Sequence, residues 1–160
     1  QWKRMALPGL TGAAIGSFVG AIPAAGGDIA SVIAWEQVRR SSRKNPVPVG
    51  KGAIEGLAAT TAACNAAIGG AMTTMLTLGI PGDAPSAILI GALLIHGVQP
   101  GPLLFRDHLP LVYSIILLMA IAALLISAVG LVGARPLARI LRIPDQWLWA
   151  GILLLGVVGS

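Results

Sequence analysis

The sequence predicts an all-α fold: a polytopic integral membrane protein with discontinuous, broken or re-entrant helices, of which this chain is an incomplete fragment. Three observations carry that reading. Hydrophobic residues make up 56% of the 160 positions and charged residues 11%, with a mean hydropathy of +0.84, whereas a soluble domain carries about 25% charged residues. Too few charges remain to cover a water-facing surface. The stretch Leu111 to Ala134 contains no charge and is long enough to cross roughly 30 Å of hydrocarbon. Two Ile-Pro breaks interrupt apolar segments elsewhere, at Pro23 and Pro81.

The palette supports packing in lipid. Phe, Trp and Tyr supply 4% of the residues, and Ala, Gly, Leu and Ile stand in their place; small residues let helix backbones approach closely in a bilayer. The 21 glycines and 11 prolines are dispersed without a period, which argues against a disordered low-complexity chain. The chain opens at Gln1 and stops inside an apolar run, Gly156-Val-Val-Gly-Ser160, and this is the basis for expecting a fragment.

The net charge of +5 is concentrated in two clusters: Arg39, Arg40, Arg43, Lys44 and Lys51, then Arg135, Arg139 and Arg142. No aromatic residues interleave with them, so no nucleic-acid partner is expected. The positive-inside rule places both clusters in cytoplasmic loops. The resulting organisation is a first broken-helix unit over 5–38, a basic cytoplasmic loop over 39–51 and a second broken-helix unit over 52–105. A transmembrane helix follows over 110–134, then a basic loop over 135–146. A truncated transmembrane helix fills 147–160, with Trp147 and Trp149 as interfacial anchors. The Gln99–Pro110 linker suits the opposite side of the lipid bilayer.

The middle of the chain is the informative part. Residues 56–82 carry no charge but hold Thr60, Thr61, Cys64, Asn65, Thr73, Thr74 and Thr77. A helix facing lipid all round would not carry so many polar groups; this one belongs inside a bundle or beside a wet cavity. Residues 86–98 resume as an apolar run too short to span, which reads as a half-helix. For 5–38 two geometries fit: a full crossing followed by an amphipathic helix, or a re-entrant pair meeting near Pro23.

The breaks resemble each other. Ile22-Pro-Ala-Ala-Gly-Gly-Asp28-Ile-Ala-Ser31 and Ile80-Pro-Gly-Asp83-Ala-Pro-Ser86 both read Ile-Pro, small residues, Asp, then Ser at the head of an apolar helix. A helix that begins within the membrane leaves its first N–H groups unpaired and its positive dipole end exposed, which is an anion site. Secondary transporters use pairs of interrupted helices in this way. Gly26, Gly27, Gly82 and Ser86 are therefore candidate substrate-binding residues, and Asn65, whose amide is both donor and acceptor, is a further one whose competing role is an interhelical hydrogen bond. Asp28 and Asp83 are candidates for a coupling Na+ or H+, because a carboxylate competes with an anionic cargo for the same amides. The competing reading is that Asp28, Ser31, Asp83 and Ser86 only cap their helices.

Other polar residues are given structural roles. Thr73, Thr74 and Thr77 are expected to bond back to carbonyls of their own helix, Glu55 to pair with Lys51 at the membrane edge, and Cys64 to be a small packing residue. His96 has no second ligand at helical spacing and is expected to be a satisfied core or interface histidine. No Gly-x-Ser-x-Gly, His-Glu-x-x-His or P-loop occurs, so neither catalysis nor nucleotide hydrolysis is expected. No cofactor is expected beyond the coupling ion.

Four segments in this order, Pro23-Ala-Ala-Gly-Gly-Asp-Ile-Ala-Ser31, Gly50-Lys-Gly-Ala-Ile-Glu-Gly56, Leu78-Gly-Ile-Pro-Gly82 and Gly91-Ala-Leu-Leu-Ile-His-Gly-Val-Gln-Pro-Gly-Pro-Leu-Leu-Phe105, resemble the C-terminal half of the large permease subunit of the tripartite tricarboxylate transporter (TctA) family. The resemblance implies a bacterial inner-membrane carrier that works with a small membrane subunit and a periplasmic solute-binding protein. It also implies import of a tricarboxylate or other small carboxylate substrate by symport on an ion gradient rather than on ATP. There are departures. Ala24 follows Pro23 where the family has glycine, and Ala59-Thr60-Thr61-Ala62-Ala63-Cys64-Asn65 replaces an Ala-Pro-Glu-Ala-Ala-Asn-Asn stretch. The alternatives to a carrier are an ion or solute channel and a non-transporting membrane scaffold.

Overall fold

The computed structural model describes residues 2–41, 47–140 and 145–159, and among these helix is the only regular structure. Among the described residues seven helices follow one another: α1 (Trp2–Gly20), α2 (Gly26–Ser41), α3 (Ile54–Leu78), α4 (Ala84–Ile95), α5 (Leu104–Asp107), α6 (Leu109–Ile140) and α7 (Asp145–Gly159). The chain forms two compact units, Gln1–Val112 and Tyr113–Ser160.

The local chemistry explains where each helix of the first unit stops. Pro23 has no N–H to continue α1 and would clash with the preceding turn; α1 accordingly ends at Gly20 and a turn follows. Gly79 closes α3 with φ +71°, its N–H donating to Met75 O at 2.9 Å, and Pro81 bars any continuation. Helix α4 ends in a Schellman arrangement, with Gly97 at φ +74°, Gly97 N–H on Leu94 O at 3.0 Å and Val98 N–H on Leu93 O at 2.9 Å. The breaks are thus made by Pro and left-handed Gly, the residues the sequence places there.

Helix α3 is the axis of this unit. Gly12, Gly16 and Gly20 of α1 face Ala59, Ala63 and Ala67 of α3, so closely that a Cβ on Gly16 would stand 2.7 Å from the Ala63 Cα. Matching order along both helices makes α1 parallel to α3. Helix α2 runs the other way: Gly27 lies against Cys64 and Trp35 near Gly56. Residues 5–38 therefore form a helical hairpin whose two outer ends lie beside the start of α3. The core joining the three helices is Val19, Ala30, Ala34, Val38, Ala59, Ala63 and Ala67, while Leu7, Leu10, Phe18, Val32, Leu57 and Ile88 are exposed. Where these three helices meet, mostly small residues lie inside and large apolar ones outside, the reverse of a water-soluble core.

Three expectations are corrected here. Glu55 pairs with Arg4 of α1, not with Lys51: the hairpin brings Arg4 to the head of α3, with Nη2 at 2.6 Å from Oε1. Arg39 and Arg40 belong to α2 rather than to a loop, both bonded to Glu36 at 2.7 and 2.8 Å, with Arg39 stacked over Trp35 at 5.3 Å. Cys64 is exposed. The basic segment Arg43 and Lys44 lies outside the described residues.

Helix α6, most of which belongs to the second unit, carries an apolar span, Leu109–Ala134, with hydropathy 3.0; among the described residues it is the one helix long and apolar enough by itself to cross a membrane. Its helix continues through Arg135 and Arg139 to Ile140; Arg142 lies outside the described residues. Helix α7 begins at Asp145, slightly ahead of Trp147.

Candidate functional site

Both breaks open onto one cavity of about 710 Å³ in the first unit. Its wall is the tip of the hairpin and first turn of α2, Ala24 to Ile29, facing the turn and first residues of α4, Pro81 to Pro85, with Cys64 and Ile68 of α3 between them. Tight packing sets this meeting. A Cβ on Gly82 would stand 2.6 Å from the Ala71 Cβ, so glycine lets the second break lie on α3. Thr74 ties the first break to the same helix, its hydroxyl donating to Ala21 O at 2.7 Å.

The two helix starts differ in chemistry. At α4, Asp83 is the N-cap and forms a capping box with Ser86: Ser86 N–H donates to Asp83 Oδ1 at 2.9 Å, and Ser86 Oγ accepts from Asp83 N–H at 3.0 Å and Gly82 N–H at 3.1 Å. The same hydroxyl donates to Asp83 O at 2.8 Å. Ser86 is wholly buried. At α2 the helix starts two residues ahead of its aspartate, on Gly26, which has φ +63°. Asp28 therefore stands within the first turn, and among the described residues no hydrogen bond or ion pair holds its carboxylate. Ser31 donates to Asp28 O at 2.7 Å, as Ser86 does to Asp83 O.

Of the candidate residues, Gly26, Gly27, Asp28, Gly82 and Asp83 thus line one cavity. Ser86 sits behind its wall with its hydroxyl engaged in the cap. Asn65 is apart from the lining; its amide donates to Thr61 O at 2.9 Å. Thr60, Thr73, Thr74 and Thr77 all donate to carbonyls one turn back in α3. His96 is exposed at the end of α4, with Nδ1 2.9 Å from Ala92 O. Sequence reasoning passed over Cys64 and Ile68, which share one face of α3 at helical spacing and form the cavity floor. Ala24, read from the sequence as a departure from the family's glycine, also lines the cavity, and its φ of 63° is left-handed without being glycine. Among the described residues no three His, Cys, Asp or Glu side chains gather to hold a metal ion.

What this geometry can do follows from helix ends. First-turn N–H groups and the positive pole of each helix favour an anion, and two such starts meet on one cavity. The two aspartates add negative charge beside them, so an anion there needs a compensating cation.

No solved structure matches the chain. An uncharacterized 52.8 kDa protein from the TAR-I ttuC' 3' region of Agrobacterium vitis is 32% identical over 159 residues, which cover 99% of this chain and 32% of that protein. An uncharacterized protein from the TAR-II ttuC' 3' region of the same organism is 34% identical over 144 residues, 90% of this chain and 59% of that protein. The chain spans a third to three fifths of these relatives. Residues 1–160 match the Tripartite tricarboxylate transporter TctA family from end to end, and with two interrupted helices meeting on one cavity, the chain belongs to that family.

Proposed function

We propose that this chain is part of a multi-pass permease in the bacterial inner membrane, the large subunit of a binding-protein-dependent secondary transporter. In this reading it imports a tricarboxylate or another small carboxylate on an ion gradient. The observation that carries the reading is the meeting of the α2 and α4 starts on one cavity. No Lys, Arg or His occurs among the described lining residues, so a cargo carboxylate is held by backbone amides at Gly26 and Gly27 and by the helix poles, while Gly82, whose N–H is given to Ser86 Oγ, shapes the wall. Asp28 and Asp83 hold the coupling Na+ or H+, which removes their repulsion of the cargo. A periplasmic solute-binding protein delivers the cargo, and a small membrane subunit completes the carrier.

Two features support the membrane setting. Small residues pack the α1–α2–α3 interface while Leu7, Leu10, Phe18, Leu57 and Ile88 face outward, the arrangement that suits lipid. Gly27 lies abreast of Cys64, about 14 Å along α3 from Glu55 at helical rise. With Glu55 at the cytoplasmic edge, α2 begins near the middle of a roughly 30 Å hydrocarbon layer.

The test is uptake of radiolabelled citrate and smaller carboxylates by the full-length protein with its partners in proteoliposomes. Uptake is expected to saturate, to need an imposed ion gradient and to fall in Gly82→Leu and Asp83→Ala. Wild-type uptake in both variants would remove the cavity from the path. Non-saturating flux that ignores the binding protein would favour a channel.

A further inference from the structure

At the head of α3, away from the cavity, a buried carboxylate is half satisfied. Glu55 is 3% exposed. Arg4 of α1 binds one of its oxygens twice: Nε donates to Oε1 at 2.8 Å and Nη2 lies 2.6 Å from the same atom. The other oxygen, Oε2, is buried and has no hydrogen-bond partner. A guanidinium commonly engages both oxygens of a carboxylate, and a buried charged acceptor left bare is the costly arrangement. This carboxylate is therefore poised to take a ligand at Oε2.

The surroundings narrow what that ligand is. Among the described side chains, the charged groups on the neighbouring elements are Arg4 on α1, Lys51 in the preceding loop, and Asp28, Glu36, Arg39 and Arg40 on α2, both arginines being bonded to Glu36. Among the described residues, Arg4 is the one cation within ion-pair distance of Glu55. A metal ion needs several oxygens around it, and no acidic partner gathers here. One bare oxygen suffices for a proton.

We propose that Glu55 is a proton-binding switch, in which Arg4 and a proton are alternative counter-charges whose exchange fastens and releases the α1–α2 hairpin on α3. With Arg4 seated, the carboxylate is ionised and the pair neutral. As Arg4 withdraws into the water that already covers half of it, 50% by side-chain exposure, a proton from that water bonds to Oε2 and leaves a neutral carboxyl. The interface suits release. Between α1 and α3 the facing groups are Gly12, Gly16 and Gly20 against alanine backbone, and Arg4–Glu55 is the one ion pair joining these helices among the described residues. The hairpin tip carries Ala24 to Asp28 of the cavity wall, so the switch also moves that wall. The proposal stands without any assignment of cargo.

The test uses the full-length protein in lipid vesicles, with spin labels at the exposed positions Leu7→Cys and Leu57→Cys in a Cys64→Ala background, plus infrared difference spectra of the carboxyl stretch. Wild type is expected to gain a second, longer label distance and a protonated-carboxyl band as pH falls. Glu55→Gln should show the longer distance at every pH and lack the band. Arg4→Gln should move both transitions to higher pH, by at least about tenfold in proton concentration, and Arg4→Lys should restore them toward wild type. Should Glu55→Gln fail to insert, the Arg4→Gln and Arg4→Lys pair decides alone. Distances that ignore pH in wild type and Arg4→Gln, with no carboxyl band in either, would overturn the switch and leave a fixed structural pair.

Discussion

Gly27 and Cys64 touch across the cavity floor: a methyl group on Gly27 would stand 3.1 Å from the Cys64 sulfur and 3.3 Å from its carbonyl oxygen. The sulfur is the end of a side chain and can give way, whereas the carbonyl belongs to α3 and cannot. Gly27→Ala is therefore expected to cost about 1–3 kcal/mol as overpacking, and Cys64→Ala to return part of that loss. Unfolding in detergent of the two single variants and the double variant measures the coupling. Additive effects would mean the two residues do not meet.

The α1–α3 seam makes a sharper prediction because both sides are backbone. Gly16→Ala would force its Cβ against Ala63 at 2.7 Å from the Cα, and neither helix can rotate away without losing Gly12 and Gly20 as well. A loss of about 3 kcal/mol is expected, the upper end for overpacking. Gly69 on α3 has nothing within 4 Å of its would-be Cβ, so Gly69→Ala is expected to be neutral or to gain up to about 1 kcal/mol from helix propensity. Parallel thermal unfolding of the two variants in one detergent checks the contrast; equal effects would refute the seam.

Ala24 is strained where glycine would not be. Its φ of 63° costs an L-residue about 1–2 kcal/mol, so Ala24→Gly is expected to stabilise the full-length protein, offset in part by the greater freedom of glycine in the unfolded chain. Denaturant midpoints of the pair supply the measurement. A fall in stability would show that the left-handed turn is not kept in the assembled protein.

Asp83 caps α4 and, in the proposed carrier, also holds the coupling ion; one substitution separates the two. Asn caps a helix about as well as Asp but carries no charge, so Asp83→Asn should leave stability close to wild type and weaken the ion dependence of uptake. Ser86→Ala should do the opposite, losing about 1 kcal/mol with the capping box while keeping ion dependence. Uptake of labelled carboxylate under Na+ or H+ gradients, with melting curves of the same samples, gives both readouts. Unchanged ion dependence in Asp83→Asn would confine Asp83 to capping.

Much of the helical arrangement was open to reading residue by residue because it rests on short-range chemistry. Pro23 and Pro81 end helices through their own ring and missing N–H, Gly79 and Gly97 supply left-handed caps, and the threonines of α3 find acceptors one turn away. The apolar run from Leu111 to Ala134 falls within the long span of α6 for the same reason, since hydropathy is a property of the segment alone. The similarity of the two breaks was equally visible. It did not reveal that α2 starts on Gly26 and leaves Asp28 out of a cap, while α4 starts after Asp83 and uses it.

What the sequence determined by itself is therefore helix, break and polarity, each set by neighbours within a turn or two. Only the tertiary structure decided that residues 5–38 fold back as a hairpin, that Glu55 meets Arg4 rather than Lys51, and that Cys64 belongs to a cavity floor. These depend on which small faces come together. Gly12, Gly16 and Gly20 announce at helical spacing that something packs against them, but any stripe of alanines would serve, and the stripe at Ala59, Ala63 and Ala67 is selected by the close fit of two backbones. Local rules have no term for that fit, because it is a property of pairs of surfaces distant in the chain.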